Sequence, residues 1–325
     1  MNKLAVIGVS GMVGRAMLEI LEERNFPVGR LLPAASAQSA GKSVSFRGRK
    51  HKIISITEVL AQEPDIALFS AGSVVSLQWA PLFAEKGCIV IDNSSAWRMD
   101  RDVPLVIPEI NISSIRAGSR IIANPNCSTI QLLMVMAPLH RAFGIKRMLI
   151  STYQSVTGTG KKAVEQLDNE IKGIQGEMAY PHPIFMNCLP HCDSFLDNGY
   201  TREEIKLLNE TRKILDDTSI KISATAVRVP VLGGHSESVN AEFSKAFEME
   251  ELLSILRETE GVVIRDKPDE NIYPMPRDAR GRDEVFVGRI RRDLSCDNAL
   301  NMWIVADNIR KGAATNAIQI AENFL

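Results

Sequence analysis

The sequence predicts an α/β chain in two parts. The first is a doubly wound domain with a parallel sheet, and the second an α+β domain with a mostly antiparallel sheet. Three observations carry this. Up to residue 125, short apolar runs alternate with apolar residues at helical spacing. A glycine-rich turn separates the first apolar run from the first helical pattern. Beyond residue 127 the strand-like segments lengthen and cluster, with less regular helix between them. A chain of 325 residues is long enough for two such domains, each with its own core.

In chain order, Leu4 opens an apolar run broken at Gly8, the pattern of a strand buried on both faces. Met12, Val13, Ala16, Met17, Ile20 and Leu21 then give a helix with one apolar stripe. Further strands are expected over 29–34, 66–70, 88–92, 105–107 and 120–123, with a helix over 76–85. In the second part, 147–156, 221–232, 236–244, 284–292 and 299–306 read as strands. A closing helix is expected over 311–324. Its small stripe of Ala313, Ala314, Ala317, Ile318 and Ala321 permits close packing.

Apolar residues make up 45% and charged residues 24% of the chain, which excludes disordered, collagen-like and coiled-coil classes. Lys plus Arg is 38 and Asp plus Glu 39, so nothing in the net charge of −1 argues for nucleic acid or an anionic membrane surface. The N-terminal apolar run is too short for a signal peptide, and no run approaches the roughly 18 apolar residues of a membrane span. Five cysteines, an odd and scattered set, fit reduced thiols better than a disulfide framework. A soluble, cytoplasmic protein is expected.

The turn Gly8-Val9-Ser10-Gly11-Met12-Val13-Gly14 has the context of a Rossmann-like dinucleotide site, with a buried strand before it and an amphipathic helix after it. Glycines allow the tight turn and the approach of a pyrophosphate to the helix N-terminus. The spacing is GxxGxxG, with Ser10 where a second glycine is usual, and a purely structural turn is the alternative. An acid at the end of the second strand would favour NAD, but residues 31–40 contain none. Ser36, Gln38 and Ser39 offer donors to a 2′-phosphate instead, which favours NADP.

Asn124, Pro125 and Asn126 break the chain just before an apolar helical stretch, which puts Cys127 at or next to a helix N-terminus. Such a position stabilises a thiolate and a developing oxyanion. The alternative is a small buried hydrophobe. Cys88 and Cys296 read as structural. Cys188, His191 and Cys192, with His182 upstream, are too cramped for a zinc site, and no metal is expected.

Of five histidines, His235 follows Gly233-Gly234 between two strands, in a turn that can present it to a cleft. Arg228 stands alone among Ala226, Val227, Val229 and Pro230 and needs a partner: an internal acid or a substrate carboxylate. Arg98 follows the segment 92–97. Glu203 and Lys206 share a helix face, which on its own reads as an exposed ion pair.

Taken together, these segments resemble the aspartate-semialdehyde dehydrogenase family. The resemblance runs through GVSGMVG at 8–14, SAQSAGK at 36–42, DNSSAWRMD at 92–100, NPNCST at 124–129 and TYQSVTGTG at 152–160. It continues through GYTREEIK at 199–206, RVPVLGGHSES at 228–238 and DNIRKGAA at 307–314. It implies an NADP-binding domain over 1–126, rejoined by 308–325, and a catalytic and dimerisation domain over 127–307. It implies Cys127 as nucleophile, His235 as general acid–base and Gln154 as the residue orienting the acyl group. Arg228 would hold the substrate carboxylate and Glu203 its amino group, with Arg98, Lys206 and Asn126 around the phosphate. Ser10, Gly11, Met12, Val13, Gln38, Ser39, Thr157, Gly158 and Asn308 would contact the cofactor.

The reaction so implied is NADPH-dependent reduction of L-aspartyl 4-phosphate to L-aspartate 4-semialdehyde. It belongs to the biosynthesis of lysine, diaminopimelate, threonine and methionine, and the family forms homodimers or homotetramers. Gln38 stands where the family often has arginine, which would relax the NADP preference, and Thr157 where serine is common. A reductase of N-acetylglutamyl phosphate would share the turn, thiol and histidine but needs no site for a free amino group, so Glu203 discriminates. A nucleotide-binding paralogue without chemistry would have no need of Cys127 and His235.

Overall fold

The computed structural model describes residues 3–39 and 41–325; Ala40, within the motif at 36–42, lies outside the described residues, as do Met1 and Asn2. The chain divides into two compact units, one of residues 1–126 with 313–325 and the other of 127–312. Among the described residues no helix is long and apolar enough to cross a membrane.

The first unit opens with β1 (Lys3–Ile7), α1 (Met12–Glu23) and β2 (Arg30–Ala34). A short hairpin of β3 (Ser43–Phe46) and β4 (Arg49–Lys52) follows, then α2 (Ile56–Leu60). The chain continues through β5 (Ile66–Phe69), α3 (Ser73–Glu85), β6 (Ile89–Asp92), α4 (Pro108–Asn111) and β7 (Ile121–Ala123). The sheet is wholly parallel, in the order β2-β1-β5-β6-β7. β5 and β6 are buried at every position, as a sheet covered on both faces requires. Strand order reverses at β1, so the glycine turn after β1 lies at the switch point where such sheets bind ligands. The strand expected over 105–107 is reduced to one bridge, Leu105 to Ala123. Pro104 and Pro108 flank it, and neither has an N–H with which to extend a ladder.

The second unit begins with α5 (Cys127–Phe143) and continues through β8 (Ile145–Ser155), α6 (Lys161–Ile171), α7 (Arg202–Leu215) and β9 (Lys221–Val229). Then come β10 (His235–Phe243), α8 (Met249–Glu258), β11 (Val262–Ile264), α9 (Pro276–Ala279), β12 (Val285–Arg292) and β13 (Ala299–Ala306). Its sheet runs β11-β12-β13-β10-β8-β9. The three central pairings are antiparallel and the two outer ones, β11 with β12 and β8 with β9, are parallel. α5, α7 and α8 pack on one face of this sheet. The other face shows Leu149, Tyr153 and Trp303, the last two with ring centroids 5.2 Å apart.

The C-terminal segment departs from the expected 311–324 helix. Residues Arg310–Ala314 form a wide π-type turn before α10 (Thr315–Glu322). Residues 308–312 therefore stay with the second unit, and the first is rejoined at 313 instead of 308. Gly312 allows the chain to pass close to the thiol residue: a Cβ there would lie 3.0 Å from the Cβ of Cys127.

Candidate active site

In the first unit the glycine turn is built to leave room. Gly8 has φ +90°, and a Cβ there would sit 2.2 Å from the Ser70 carbonyl oxygen; one at Gly14 would sit 2.4 Å from the Gly8 oxygen. Gly11 caps α1 without a side-chain bond, and the first helical turn, which includes Met12 and Val13, holds no acid. The N–H groups of that turn are thus placed as an anion site, and these residues fit a dinucleotide pyrophosphate. Ser39 Oγ donates to Ser10 Oγ across 3.4 Å, while Ser36 and Gln38 are exposed beside them. Arg98 is buried where the chain leaves β6. Its guanidinium donates from Nε to the Asn124 carbonyl at 2.9 Å and from Nη2 to the Asn93 carbonyl at 2.8 Å. Asn126, also buried, is the last residue of this unit.

In the second unit Cys127 is the first residue of α5, half-buried, at the positive end of a 17-residue helix. The next residue, Ser128, accepts at 3.2 Å from Gln154 Nε2. The same Gln154 nitrogen reaches Thr152 Oγ1 at 3.3 Å and Glu203 Oε1 at 3.2 Å, so this side chain ties β8 to the starts of α5 and α7. One turn beyond Cys127, Gln131 Nε2 donates to the His235 carbonyl at 3.4 Å. The first turn of the thiol's helix therefore lies against the histidine's strand.

His235 is not in the glycine turn. It is the first residue of β10, with no exposed surface. The Ser155 backbone N–H donates to His235 Nδ1 at 3.0 Å, which leaves the proton of the neutral ring on Nε2. Nε2 has no hydrogen-bond partner among the described residues. Burial, reinforced by the Arg228 charge and opposed by Glu203, pushes the imidazole down to about 3. The ring is thus neutral at physiological pH and presents an N–H donor. Gly158 makes space for it: a Cβ there would lie 3.0 Å from Nε2 and 2.9 Å from Arg228 Nη1.

Arg228 is buried, with Nη1 donating to the Ser155 carbonyl at 2.6 Å and its guanidinium carbon 5.9 Å from the Tyr180 ring centroid. It makes no ion pair with a carboxylate among the described residues, and its Nε has no partner there. The internal-acid alternative therefore fails, and a buried guanidinium remains with capacity for an anion. Glu203 and Lys206 do pair, at 3.0 Å, but not in the exposed manner expected. Glu203 is buried because α7 packs on α5 and β9, and Lys206 also reaches Asp193 at 2.7 Å. Burial alone would pull the Lys206 ammonium down, but Glu203 and Asp193 together hold it above its ordinary value.

Thr157 Oγ1 donates to Asn308 Oδ1 at 2.9 Å, and Gly234 N–H donates to the same oxygen at 3.2 Å, so any cofactor contact from Asn308 falls to its NH2 group. Ser128, Gln131 and Ser155 escape the sequence reading. Each is a polar residue within a strand or helix pattern, and its partner comes from a distant segment. Cys192 is buried, with its thiol pushed up to about 12 chiefly by burial, and Cys188 is exposed. Among the described residues no three His, Cys, Asp or Glu side chains gather as a metal site.

Residues 3–117 match the family described as semialdehyde dehydrogenase, NAD binding domain, and residues 136–311 that described as semialdehyde dehydrogenase, dimerisation domain. The aspartate-semialdehyde dehydrogenase of Aquifex aeolicus is 52% identical over 329 residues, covering 98% of this chain and 97% of its own. The crystal structure of aspartate semialdehyde dehydrogenase II from Vibrio cholerae complexed with ASA matches with a TM-score of 0.94 and 45% identity, over 99% of this chain and 97% of that one. That of aspartate semialdehyde dehydrogenase with NADP from Candida albicans matches with a TM-score of 0.76 and 25% identity, over 99% and 98%. A parallel dinucleotide-binding sheet, a thiol at a helix start and a buried neutral histidine thus coincide with matches along almost the whole chain, which belongs to the aspartate-semialdehyde dehydrogenase family.

Proposed function

We propose that this chain reduces L-aspartyl 4-phosphate with NADPH to L-aspartate 4-semialdehyde and phosphate, through a thioester on Cys127, in the biosynthesis of aspartate-family amino acids. The observation that carries the reading is the buried Arg228, without a carboxylate partner and beside a neutral imidazole whose Nε2–H is free to donate.

The Cys127 sulfur attacks the acyl carbon, the C–O bond to phosphate breaks, and phosphate leaves. Arg98, Lys206 and Asn126 are assigned to that phosphate on the family resemblance. The thioester carbon on Cys127 becomes a tetrahedral thiohemiacetal oxyanion on receiving a hydride, which NADPH would supply when bound. His235 Nε2–H donates a hydrogen bond to the oxyanion, a task suited to a neutral ring held in one tautomer by Ser155. Collapse breaks the C–S bond, frees the aldehyde and restores the thiolate. This divides one difficult displacement into easier steps. Arg228 holds the α-carboxylate, Glu203 the α-amino group, and Gln154, fixed at its NH2 by three partners, orients the acyl group.

For the cofactor, the sequence and its family resemblance assign Gly8, Ser10, Gly11, Met12, Val13, Ser36, Gln38, Ser39, Thr157, Gly158 and Asn308. NADP is favoured because no acid follows β2. The open sheet face around Tyr153 and Trp303 suits assembly into a homodimer or homotetramer. Five cysteines without a disulfide fit a reducing cytoplasm.

The test is phosphate-dependent reduction of NADP by the purified protein with aspartate semialdehyde. Activity that needs phosphate and is faster with NADP than with NAD supports the reading; no activity overturns it. Arg228→Leu is expected to raise KM for the semialdehyde by at least about 30-fold, since losing one partner of a buried charge pair costs roughly 2–5 kcal/mol. An unchanged KM would mark Arg228 as structural.

A further inference from the structure

Glu237 lies in the middle of the second unit's sheet, opposite Thr152 of β8 and Ile304 of β13, and none of its surface is exposed. It is two residues from His235, on the same face of β10. Both of its carboxyl oxygens lack a hydrogen-bond donor among the described residues. The polar side chain it meets is Gln131 of α5, whose amide favours the ionised carboxyl, yet neither carboxyl oxygen has a donor within hydrogen-bond geometry. Gln131 has its own deficit: Nε2 serves the His235 carbonyl, while Oε1 has no donor. The other charged group facing Glu237 is Glu203 of α7, a like charge. His235, on its own strand, is neutral, and Thr152 Oγ1, which accepts from Gln154, makes no hydrogen bond to Glu237.

An ionised carboxylate is an acceptor only, and burying it among unmatched acceptors is costly. A carboxylic acid brings one O–H, a donor that the unmatched Gln131 Oε1 can accept. We infer that Glu237 is a neutral carboxylic acid in the working enzyme and that, with Gln131, it is a positioning residue. The pair holds the His235 end of β10 against the helix that begins at Cys127. Burial and the Glu203 charge act in the same sense, lifting Glu237 well above the ordinary carboxylate range, with Gln131 opposing. The kinetic part of the inference rests on the proposed roles of Cys127 and His235; the protonation state does not.

The experiment compares the wild-type protein with Glu237→Gln and Glu237→Leu. The infrared spectrum of the wild type at neutral pH should hold a carboxylic-acid C=O band that is lost in Glu237→Gln. No difference in that band overturns the inference, whatever the activity. Glu237→Gln, an uncharged isostere, should keep the wild-type kcat and the wild-type pH profile of kcat/KM. A shifted profile, or a kcat as low as that of the leucine variant, would show that a negative charge acts there. Glu237→Leu should lower kcat by about 10- to 100-fold at unchanged KM, the scale of a misplaced catalytic group. A folded leucine variant with normal kcat would reduce Glu237 to a packing residue. Should that variant not fold, the band and the glutamine profile decide. Failure of the nucleophile assignment is separate: it shows as turnover in Cys127→Ala.

Discussion

Cys127→Ala is expected to abolish turnover while the protein stays folded. Cys127 is half-buried at the first position of α5, where removing a sulfur leaves the helix and its packing in place. The chemistry has no substitute. The other thiols are poor substitutes: Cys88 and Cys192 are buried, with burial the main cause pushing each up to about 12, although Cys192 feels the charges of Arg228 and Glu203, while Cys188 is exposed on a loop and Cys296 is half-buried. Loss of a covalent nucleophile should lower kcat by at least about 10⁴-fold. The measurement is initial-rate NADP reduction, with circular dichroism and the melting temperature as controls for folding. A variant with rates near wild type would remove the thioester from the mechanism.

His235→Asn is expected to lower kcat by roughly 10²–10⁴-fold, the usual contribution of a positioned proton donor. The pH dependence gives a sharper test. The imidazole is held down to about 3, first by burial and then by the Arg228 charge. His235 should therefore contribute no limb to the kcat/KM profile of the wild-type enzyme between about pH 5 and 8, where a solvated histidine titrates. A limb near the ordinary histidine value of 6.5 that disappears in His235→Asn would contradict the assigned neutral N–H donor. The linkage to stability has a fixed sign. A folded-state value below the unfolded one stabilises fully above about pH 6.5, and that stability is lost as the pH falls toward 3.

Legibility followed the range of each signal. The glycine turn and Cys127 were readable because strand, turn and helix start are adjacent in sequence, and the breaker Asn124-Pro125-Asn126 placed the thiol at the first residue of α5. Glu203 and Lys206 were readable as a pair but not as buried, since a spacing of three looks the same on a covered helix face as on an open one. Two glycines before His235 read as a turn in the sequence; the ladder that makes it a strand residue comes from β8 and β13. The hairpin of β3 and β4 leaves no sequence signal, because β4 is Arg49-Lys50-His51-Lys52, with no apolar alternation to mark it. Whether Arg228 had an internal acid depended on segments far along the chain, and only the coordinates answer that.

The central claim is that one sulfur, at the start of α5 and served by the neutral histidine of β10, takes the acyl group from the substrate. It is tested most directly by mixing the wild-type protein with L-aspartyl 4-phosphate in the absence of NADPH and locating the adduct by peptide mass spectrometry. The expected result is an aspartyl thioester on the peptide containing Cys127, lost on treatment with hydroxylamine. An adduct on Cys88, Cys188, Cys192 or Cys296 instead, or release of phosphate with Cys127 unmodified, would contradict it.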